Sequence, residues 1–241
     1  MPSQRRILIT GGSRGIGAAC VRRFCEAGDK VVFLYRSRVS EASKIQEETG
    51  ATGIRCDLSL IDDILPAVGR ALEILGGCDV LVNNAGISSI KQIQDMTDPE
   101  IDRILGVNLA APVRIAREVS KIMIGQKSGS IINIGSVWGE YGASCETVYS
   151  ASKAGLRGFT AALAKELGPS GIRVNCIEPG VIDTDMNSSL GADAVSELTG
   201  NTPLCRMGTA AEVAEAVFFL ASDAASFITG AFLPVSGGFP G

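Results

Sequence analysis

The stretch RILITGGSRGIGAA, residues 6–19, joins a short apolar run to a glycine-rich turn and then to the first residues of a helical pattern. Such a turn lets the backbone approach an anionic ligand, because side chains are absent and the helix offers unpaired N–H groups. The glycines at 11, 12, 15 and 17 follow the pattern T-G-x-x-x-G-x-G, which differs from both G-x-G-x-x-G and a Walker A loop. The stretch therefore predicts a strand, a phosphate-binding turn and a helix.

The same alternation continues along the chain, where short apolar or β-branched runs are separated by longer amphipathic segments. Continuous apolar strands between helices are typical of a parallel sheet that is covered on both faces. We therefore predict one α/β domain over residues 1–241, with a doubly wound, Rossmann-like parallel sheet of about seven strands and helices on both faces. The predicted strands are 6–10, 30–35, 52–56, 79–83, 130–135, 172–177 and 231–235. Helical patterns cover 15–28, 100–124 and 149–168, and the predicted left-handed helix ends are Gly28, Gly50, Gly168 and Gly171.

Composition excludes several classes of function. The net charge is −4 and no basic stripe is present, which argues against a nucleic-acid partner. No apolar run has the length of a membrane span, and the apolar segment near the N-terminus is too short for a signal peptide, so we predict a cytoplasmic protein. The chain has no histidine, which excludes Ser-His-Asp hydrolysis and most transition-metal sites. Its seven cysteines lack C-x-x-C spacing, so we predict neither a disulfide framework nor a metal site.

The end of the second predicted strand indicates which dinucleotide the turn would bind. A carboxylate at this point would bind the ribose 2′-hydroxyl of NAD, but the sequence has Arg36, Ser37 and Arg38. A fourth polar residue, Arg14, stands within the glycine-rich turn itself. Guanidinium groups suit a phosphate monoester, so we predict NADP(H) rather than NAD(H), with solvated surface arginines as the alternative.

A second motif, YSASK at 149–153, places Tyr149 four residues before Lys153. On a helix these two side chains would share one face. With this composition, such a pair would arise by chance roughly one time in ten, so alone it is a weak signal. A lysine stem that covers a tyrosine ring on a half-exposed helix is the structural alternative.

Together with NNAG at 83–86 and IGS at 134–136, the two motifs occur in an order that resembles the short-chain dehydrogenase/reductase family, over nearly the full length to VSGG at 235–238. The resemblance implies a catalytic tetrad of Asn108, Ser136, Tyr149 and Lys153. It also implies cofactor-binding residues, with Tyr149 and Lys153 among them. The residues at the phosphates and ribose are Thr10, Gly11, Ser13, Arg14, Gly15, Ile16 and Gly17, and Arg36 and Ser37 are those predicted at the 2′-phosphate. Asp57 and Leu58 would flank the adenine, Asn83, Ala85 and Gly86 the ribose, and Pro179, Gly180, Ile182 and Thr184 the carboxamide.

The residue types suit carbonyl reduction. Hydride transfer from a nicotinamide to a carbonyl carbon leaves an alkoxide that needs a proton. A phenol with a pKa near 10 is a poor donor or acceptor at neutral pH, and we expect the ammonium of Lys153 to lower the pKa of Tyr149. The Ser136 hydroxyl would hold the carbonyl oxygen. Asn108 would anchor a water that passes protons to Lys153.

Within the family, the segments SRGIG, YRS, IGSVWGEYGAS and PGVIDTDM look most like those of 3-oxoacyl-[acyl-carrier-protein] reductases. This likeness implies NADPH-dependent reduction of a 3-oxoacyl thioester to the 3-hydroxyacyl form in fatty-acid synthesis, with Tyr149 as the proton donor. One alternative is a hydroxysteroid, sugar or other secondary-alcohol dehydrogenase on the same scaffold. Another is a non-catalytic NADP(H)-sensing regulator, against which the intact tetrad argues. We expect Trp138 and Tyr141 to line the substrate pocket, with packing against the loop or a neighbouring subunit as the alternative. Cys145 and Glu146 are expected to face the substrate or a neighbouring loop.

The resemblance also implies acyl carrier protein as a partner, bound by basic residues near the mouth of the site. Lys127 fits one such position, whereas Ser170 stands where arginine is frequent. Glu178 stands where alanine is usual before Pro-Gly, and a carboxylate at that point needs a partner. The resemblance also implies that the helices over 100–124 and 149–168 pair across one two-fold axis and that the last strand builds a second interface, which together give a homotetramer. The small, polar segment 187–202 is predicted to be a substrate lid.

Overall fold

A parallel sheet of seven strands runs through the residues described by this computed structural model, 4–187 and 191–239. Its order is β3-β2-β1-β4-β5-β6-β9, so the chain moves outward from β1 to β3 and then returns to β4 on the other side. Strand β1 therefore pairs with both β2 and β4. The strands are β1 (Arg6–Thr10), β2 (Lys30–Tyr35), β3 (Thr52–Arg55), β4 (Val80–Asn83), β5 (Gly129–Ile134), β6 (Ile172–Pro179), β7 (Ile182–Asp183), β8 (Gly208–Thr209) and β9 (Phe232–Val235), of which β7 and β8 form a separate short ladder.

Helices cover both faces of the sheet. In β1, the side chains of Ile7 and Ile9 join the core beside the first and last helices, while Leu8 joins the core on the opposite face. This alternation explains why the strands are apolar throughout. None of the helices in the described residues is both long and apolar enough to span a membrane. The helices are α1 (Gly15–Glu26), α2 (Val39–Thr49), α3 (Ile61–Leu75), α4 (Asp98–Leu105), α5 (Ala111–Gln126), α6 (Trp138–Tyr141), α7 (Thr147–Leu167), α8 (Ala192–Gly200) and α9 (Ala210–Leu220).

The predicted α/β sheet is confirmed, with strand bounds that differ by at most two residues. The helix predicted over 100–124 is interrupted, because a wider π-helical turn at Gly106–Ala110 separates α4 from α5. Pro112 has no N–H to donate to the carbonyl of Asn108 four residues earlier, which favours the wider turn. The left-handed conformation predicted for Gly168 is wrong. Its N–H still bonds within α7, and the reversal comes at Gly171, whose φ is 76°.

The glycine-rich turn packs its backbone against the turn that follows β4. A Cβ on Gly17 would lie 2.1 Å from the carbonyl oxygen of Gly11 and 2.5 Å from Nδ2 of Asn84. Gly11 itself has a φ of 70°, in the left-handed region that favours glycine. The start of α1 can therefore approach the turn after β4 only with glycine at position 17.

Replacing Gly17 with alanine is expected to destabilise the fold by about 1–3 kcal/mol, because the new methyl group has no room against the Gly11 carbonyl. A matched control is Gly69→Ala in α3, where an added Cβ meets no atom within 4 Å. That substitution should stabilise the helix by about 0.5–1 kcal/mol. Urea unfolding of both variants measures the difference, and equal effects would contradict the proposed close approach.

Candidate active site

A cleft of about 1270 Å³ opens at the carboxyl ends of the central strands. It lies at the point where the strand order reverses between β1 and β4, which is where open parallel sheets bind ligands. The glycine-rich turn, the ends of β2 and β3, and the segments after β4, β5 and β6 all contribute to its lining. The cleft is therefore assembled by loops that a single sheet holds in register.

Most of the residues predicted from the sequence line this cleft. Three do not, namely Thr10, Asn83 and Asn108, each of which is almost completely buried. Those that line it are Gly11, Ser13, Arg14, Gly15, Ile16, Gly17, Arg36, Ser37, Asp57, Leu58, Ala85, Gly86, Ser136, Tyr149, Lys153, Pro179, Gly180, Ile182 and Thr184.

Thr10 and Asn83 have structural contacts instead. The Thr10 hydroxyl accepts the backbone N–H groups of Asn84 and Ala85, both at 3.0 Å, and so holds the turn after β4. The Asn83 amide donates to Oδ1 of Asn133 at 2.9 Å. Strand alternation directs Asn83 to the same face as Leu81, away from the cleft, so the expected place of Asn83 beside the ribose is not supported. The next residue, Asn84, lines the cleft and was missed.

Asn108 lies in the π-helical turn and holds the loop after β4 by a two-way contact. Its Nδ2 donates to the Ile87 carbonyl, and its Oδ1 accepts the Ile87 N–H, both at 2.9 Å. Nδ2 also reaches Oγ of Ser152 at 3.1 Å. A Cβ on Gly86 would lie 3.5 Å from Nζ of Lys153 and 3.6 Å from Oδ1 of Asn108. Glycine at this position therefore keeps the space between the two polar atoms open.

Tyr149 and Ser136 form a buried hydroxyl pair at the base of the cleft. Burial raises the pKa of Tyr149 to about 12, the hydrogen bond with Ser136 opposes that rise, and the carboxylate of Glu146 adds to it. At neutral pH the phenol is therefore protonated. The expectation that Lys153 lowers this pKa is not met here, because the loss of water around the phenol dominates the shift and only the Ser136 hydrogen bond opposes it.

Lys153 is buried beside the same ring. Its Nζ donates to the Ile134 carbonyl at 2.7 Å and lies 5.6 Å from the centroid of the Tyr149 ring. Burial lowers the pKa of Lys153 to about 8. The phenol and the amine are thus both held in a water-poor site that disfavours their charged forms.

The outer end of the cleft carries the arginines predicted to bind a phosphate. Arg14 forms an exposed ion pair with Asp185 at 3.1 Å, and Arg38 forms one with Glu41 at 3.2 Å. Among the described residues, no carboxylate is at ion-pair distance from the exposed Arg36. Arg36 is therefore the guanidinium of this group that is most accessible to an anion.

Sequence reasoning missed Phe239, and it left open whether Glu146 faces the substrate or a neighbouring loop. Glu146 lines the cleft beside Tyr149 and accepts a hydrogen bond from the Ser88 hydroxyl. Phe239, near the end of the chain, packs edge-on against Trp138 with ring centroids 5.3 Å apart. Trp138 lines the cleft as expected, but Tyr141 is 61% exposed and does not. No motif marks these positions, so only packing reveals them.

Part of the segment predicted to be a lid forms α8. Leu198 of this helix lines the cleft and packs in the small apolar cluster that contains Trp138 and Phe239. Residues 188–190 of the predicted lid lie outside the described residues. In the described part of the chain, no group of three or more His, Cys, Asp or Glu side chains could hold a metal ion.

The sheet order, the glycine-rich turn and the buried tyrosine and lysine define the class to which the chain belongs. A family model described as enoyl-(acyl carrier protein) reductase matches residues 11–240. A mutant short-chain dehydrogenase/reductase of Serratia marcescens superposes with a TM-score of 0.93 at 34% identity, and all of both chains is covered. The chain belongs to the short-chain dehydrogenase/reductase family and is an oxidoreductase of the kind that uses a nicotinamide cofactor.

Its curated relatives are named more narrowly. The 3-oxoacyl-[acyl-carrier-protein] reductase FabG of Pseudomonas aeruginosa is 41% identical, over 96% of this chain and 95% of its own length. The reductase of the same name from Chlamydia muridarum is 40% identical, with the same coverage. The 3-oxoacyl-[acyl-carrier-protein] reductase MabA of Mycobacterium tuberculosis is 39% identical, over 97% of this chain and 92% of its own length. The resemblance inferred from the motifs is confirmed.

Replacing Lys153 with methionine is expected to stabilise the fold at neutral pH, because a buried ammonium is removed. A fall in pKa from 10.5 to about 8 corresponds to at most about 3 kcal/mol. The unfolded chain keeps this proton up to pH 10.5, while the folded chain loses it near pH 8. Between pH 8 and pH 10.5 the free energy of unfolding of the wild type therefore rises relative to that of Lys153→Met. Above this range the stability advantage of the variant disappears.

Urea unfolding at neutral pH and at about pH 10 measures this effect. Lys165→Met is the matched control, because Lys165 is exposed on the same helix. An advantage of Lys153→Met that does not change with pH would contradict the buried, destabilised ammonium.

Proposed function

We propose that this oxidoreductase reduces the 3-oxo group of acyl-carrier-protein thioesters with NADPH, with Tyr149 as the proton donor. The observation that carries the proposal is the buried Ser136–Tyr149 pair beside Lys153, in a cleft that continues to the glycine-rich turn. The names of the curated relatives support the same substrate class.

The cleft fits a dinucleotide, because it is large and because Gly11, Gly15 and Gly17 bring side-chain-free backbone of the glycine-rich turn into its lining. Gly15, Ile16 and the start of α1 would hold the pyrophosphate with backbone N–H groups. Pro179, Gly180 and Thr184 would lie beside the nicotinamide end. When bound, the nicotinamide supplies the hydride that reduces the carbonyl carbon.

The residues of the chain supply position and the proton. The hydroxyl groups of Ser136 and Tyr149 would both hydrogen-bond the carbonyl oxygen, which polarises it and orients the carbon. As negative charge grows on that oxygen, Tyr149 donates its proton, and the high pKa keeps that proton available at neutral pH. Nζ of Lys153 and Oδ1 of Asn108 both lie beside Gly86, which suits the expectation that Asn108 anchors a water that passes protons to Lys153.

The choice of NADPH rests on Arg36. Its exposed guanidinium lines the cleft at the end of β2, where a 2′-phosphate would lie, and Ser37 follows it. Arg14 also lines this end, but its pairing with Asp185 makes it a weaker candidate. We therefore assign the main discrimination between NADPH and NADH to Arg36.

Replacing Arg36 with alanine is expected to weaken NADPH binding about 10–100-fold, the cost of losing a charge-assisted hydrogen bond. NADH binding should change by less than about twofold, because its ribose carries no phosphate. Fluorescence titration with each dinucleotide measures both affinities. Arg22→Ala is the control, since Arg22 is paired with Glu48 outside the cleft lining. Equal losses for NADPH and NADH would contradict the assignment.

The expected basic docking position is not at the mouth of the cleft. Lys127 precedes β5 and Ser170 precedes β6, so both lie at the amino-terminal edge of the sheet. The cleft lies at the carboxyl edge, because all strands of the sheet are parallel. Within one chain, neither residue can guide a carrier protein to the cleft mouth.

The cleft lining includes several apolar side chains besides the predicted site residues. Ile87, Ile90, Val137 and Met186 line the cleft, which suits an acyl chain better than a sugar. The description of the family model makes an enoyl thioester a second candidate, in which a C=C bond rather than a C=O bond is reduced. Steroid and other secondary alcohols remain alternatives on the same scaffold.

Purified protein should oxidise NADPH with an acetoacetyl thioester and more slowly with a crotonyl thioester, a steroid ketone or a keto sugar. Tyr149→Phe should lower kcat by about 10²–10⁴-fold, because the proton donor is lost, while NADPH affinity changes little. Tyr141→Phe is the matched control, since Tyr141 is exposed and outside the cleft lining.

Faster turnover of the crotonyl thioester would favour the enoyl reaction over the proposed one. NADPH binding without turnover of any carbonyl would favour the non-catalytic sensor. Full activity of Tyr149→Phe would refute the assigned proton donor.

A further inference from the structure

Glu178 is a buried carboxylate that the proposed mechanism does not use. Its side chain is only 3% exposed, and it directly precedes the Pro179–Gly180 segment at the cleft. The partner of Glu178 could not be identified from the sequence. In the structure it is Arg157, whose Nη1 donates to Oε1 of Glu178 at 2.5 Å. Arg157 lies on α7, one helical turn after Lys153.

The Arg157 guanidinium makes two further contacts. The same Nη1 donates to Oε2 of Glu140 at 3.1 Å, and the guanidinium carbon lies 4.5 Å from the centroid of the Phe232 ring. Glu140 is on α6, and Phe232 begins β9 next to β6. One side chain therefore contacts α6, β6 and β9 from its position on α7. The Glu178–Arg157–Glu140 group is called the arginine bridge below.

The elements joined by the arginine bridge carry the predicted chemistry. Helix α7 carries Tyr149 and Lys153, α6 follows Ser136 after one residue, and β6 leads into Pro179 and Gly180. The bridge thus spans the proton donor, the carbonyl-binding hydroxyl and the predicted nicotinamide segment.

Close backbone packing surrounds the arginine bridge. A Cβ on Gly135 would lie 2.7 Å from Sγ of Cys176 and 3.4 Å from Cγ of Glu178. A Cβ on Gly139 would lie 2.9 Å from the backbone carbon of Lys153. The segment around Ser136 is therefore pressed against both β6 and α7, and a shift of either element would move it.

We propose that Glu178 and Arg157 are positioning residues, which hold the Ser136 segment, α7 and the Pro179–Gly180 segment at the spacing that hydride and proton transfer require. The proposal rests on the proposed function for its kinetic readout. A misplacement of about 1 Å in such a site can cost about 100-fold in rate. The alternative is that Arg157 only neutralises a carboxylate that happens to be buried.

Two sets of variants separate these roles. Glu178→Ala removes the inner contact, Glu178→Gln keeps a hydrogen-bond acceptor of the same shape, and Glu178→Ala/Arg157→Met removes both charges while an apolar stem remains. A matched control is Asp29→Ala, because Arg5 and Asp29 form a similar pair at 2.6 Å, with Asp29 6% exposed. That pair also has its guanidinium 4.9 Å from an aromatic centroid, but it lies at the opposite edge of the sheet.

The measurements are the melting temperature, the kinetics of acetoacetyl thioester reduction per NADPH-binding site, and the isotope effect with deuterated NADPH. Glu178→Ala and the double variant should lose about tenfold or more in kcat, with a changed isotope effect and a KM for NADPH within about twofold of wild type. The double variant should regain melting temperature relative to Glu178→Ala, but not kcat. Glu178→Gln should keep kcat within about threefold, and Asp29→Ala should lose stability only.

Wild-type kcat in the folded double variant would overturn the proposal and leave Arg157 as a neutralising partner alone. If the wild-type protein does not reduce the thioester, the proposed function fails. The positioning role of the arginine bridge is then tested by comparing crystal structures of the wild type and the double variant. A difference of about 0.5 Å or more between the two proteins in the Ser136–Gly180 Cα–Cα distance would support the positioning role. Sites that superpose without such a difference would overturn it.

Discussion

The contact between the glycine-rich turn and the turn after β4 is the constraint on which the rest of the structure depends. The Asn84 amide donates to the carbonyls of Thr10 and Gly11 at 2.9 and 3.2 Å, and the absence of a Cβ on Gly17 lets α1 begin directly over this contact. Because β1 and β4 are neighbours where the strand order reverses, the contact joins the two halves of the sheet. The cleft opens at this junction, and every loop that lines it is positioned relative to it.

The chemistry of the site depends on burying polar groups whose hydrogen bonds are still satisfied. Lys153 has the Ile134 carbonyl, and Asn108 has both backbone groups of Ile87. These bonds fix the side chains before any ligand enters, which is the preorganisation that catalysis by position requires. Burial of these polar groups also has an electrostatic penalty, because it disfavours the charged forms of both Tyr149 and Lys153. Burying these two groups therefore lowers the stability of the fold, and it keeps the phenol of Tyr149 protonated at neutral pH, as its proposed role as proton donor requires.

Much of the fold and most of the cleft lining could be predicted from the sequence, because both follow from short-range patterns. Continuous apolar runs located every strand of the large sheet, and the glycine and YSASK motifs located the two ends of the cleft. Pro112 explains why one predicted helix was interrupted, since a missing N–H changes helix geometry without changing the apolar period. Asn83 was predicted beside the ribose, whereas its side chain bonds to Asn133, because adjacent residues at a strand end face opposite ways and the sequence does not say which face meets the cleft.

The sequence by itself determined the alternation of strands and helices, the position of the glycine-rich turn and the residue types available for the proposed proton transfer. These are properties of neighbouring residues, and local sterics and periodicity are sufficient to specify them. Only the tertiary structure decided that Glu178 pairs with Arg157, that burial dominates the pKa of Tyr149, and that Lys127 lies at the edge opposite the cleft. Each of these depends on distances between residues far apart in the chain and on how much water reaches them, and those quantities exist only after the layers have packed.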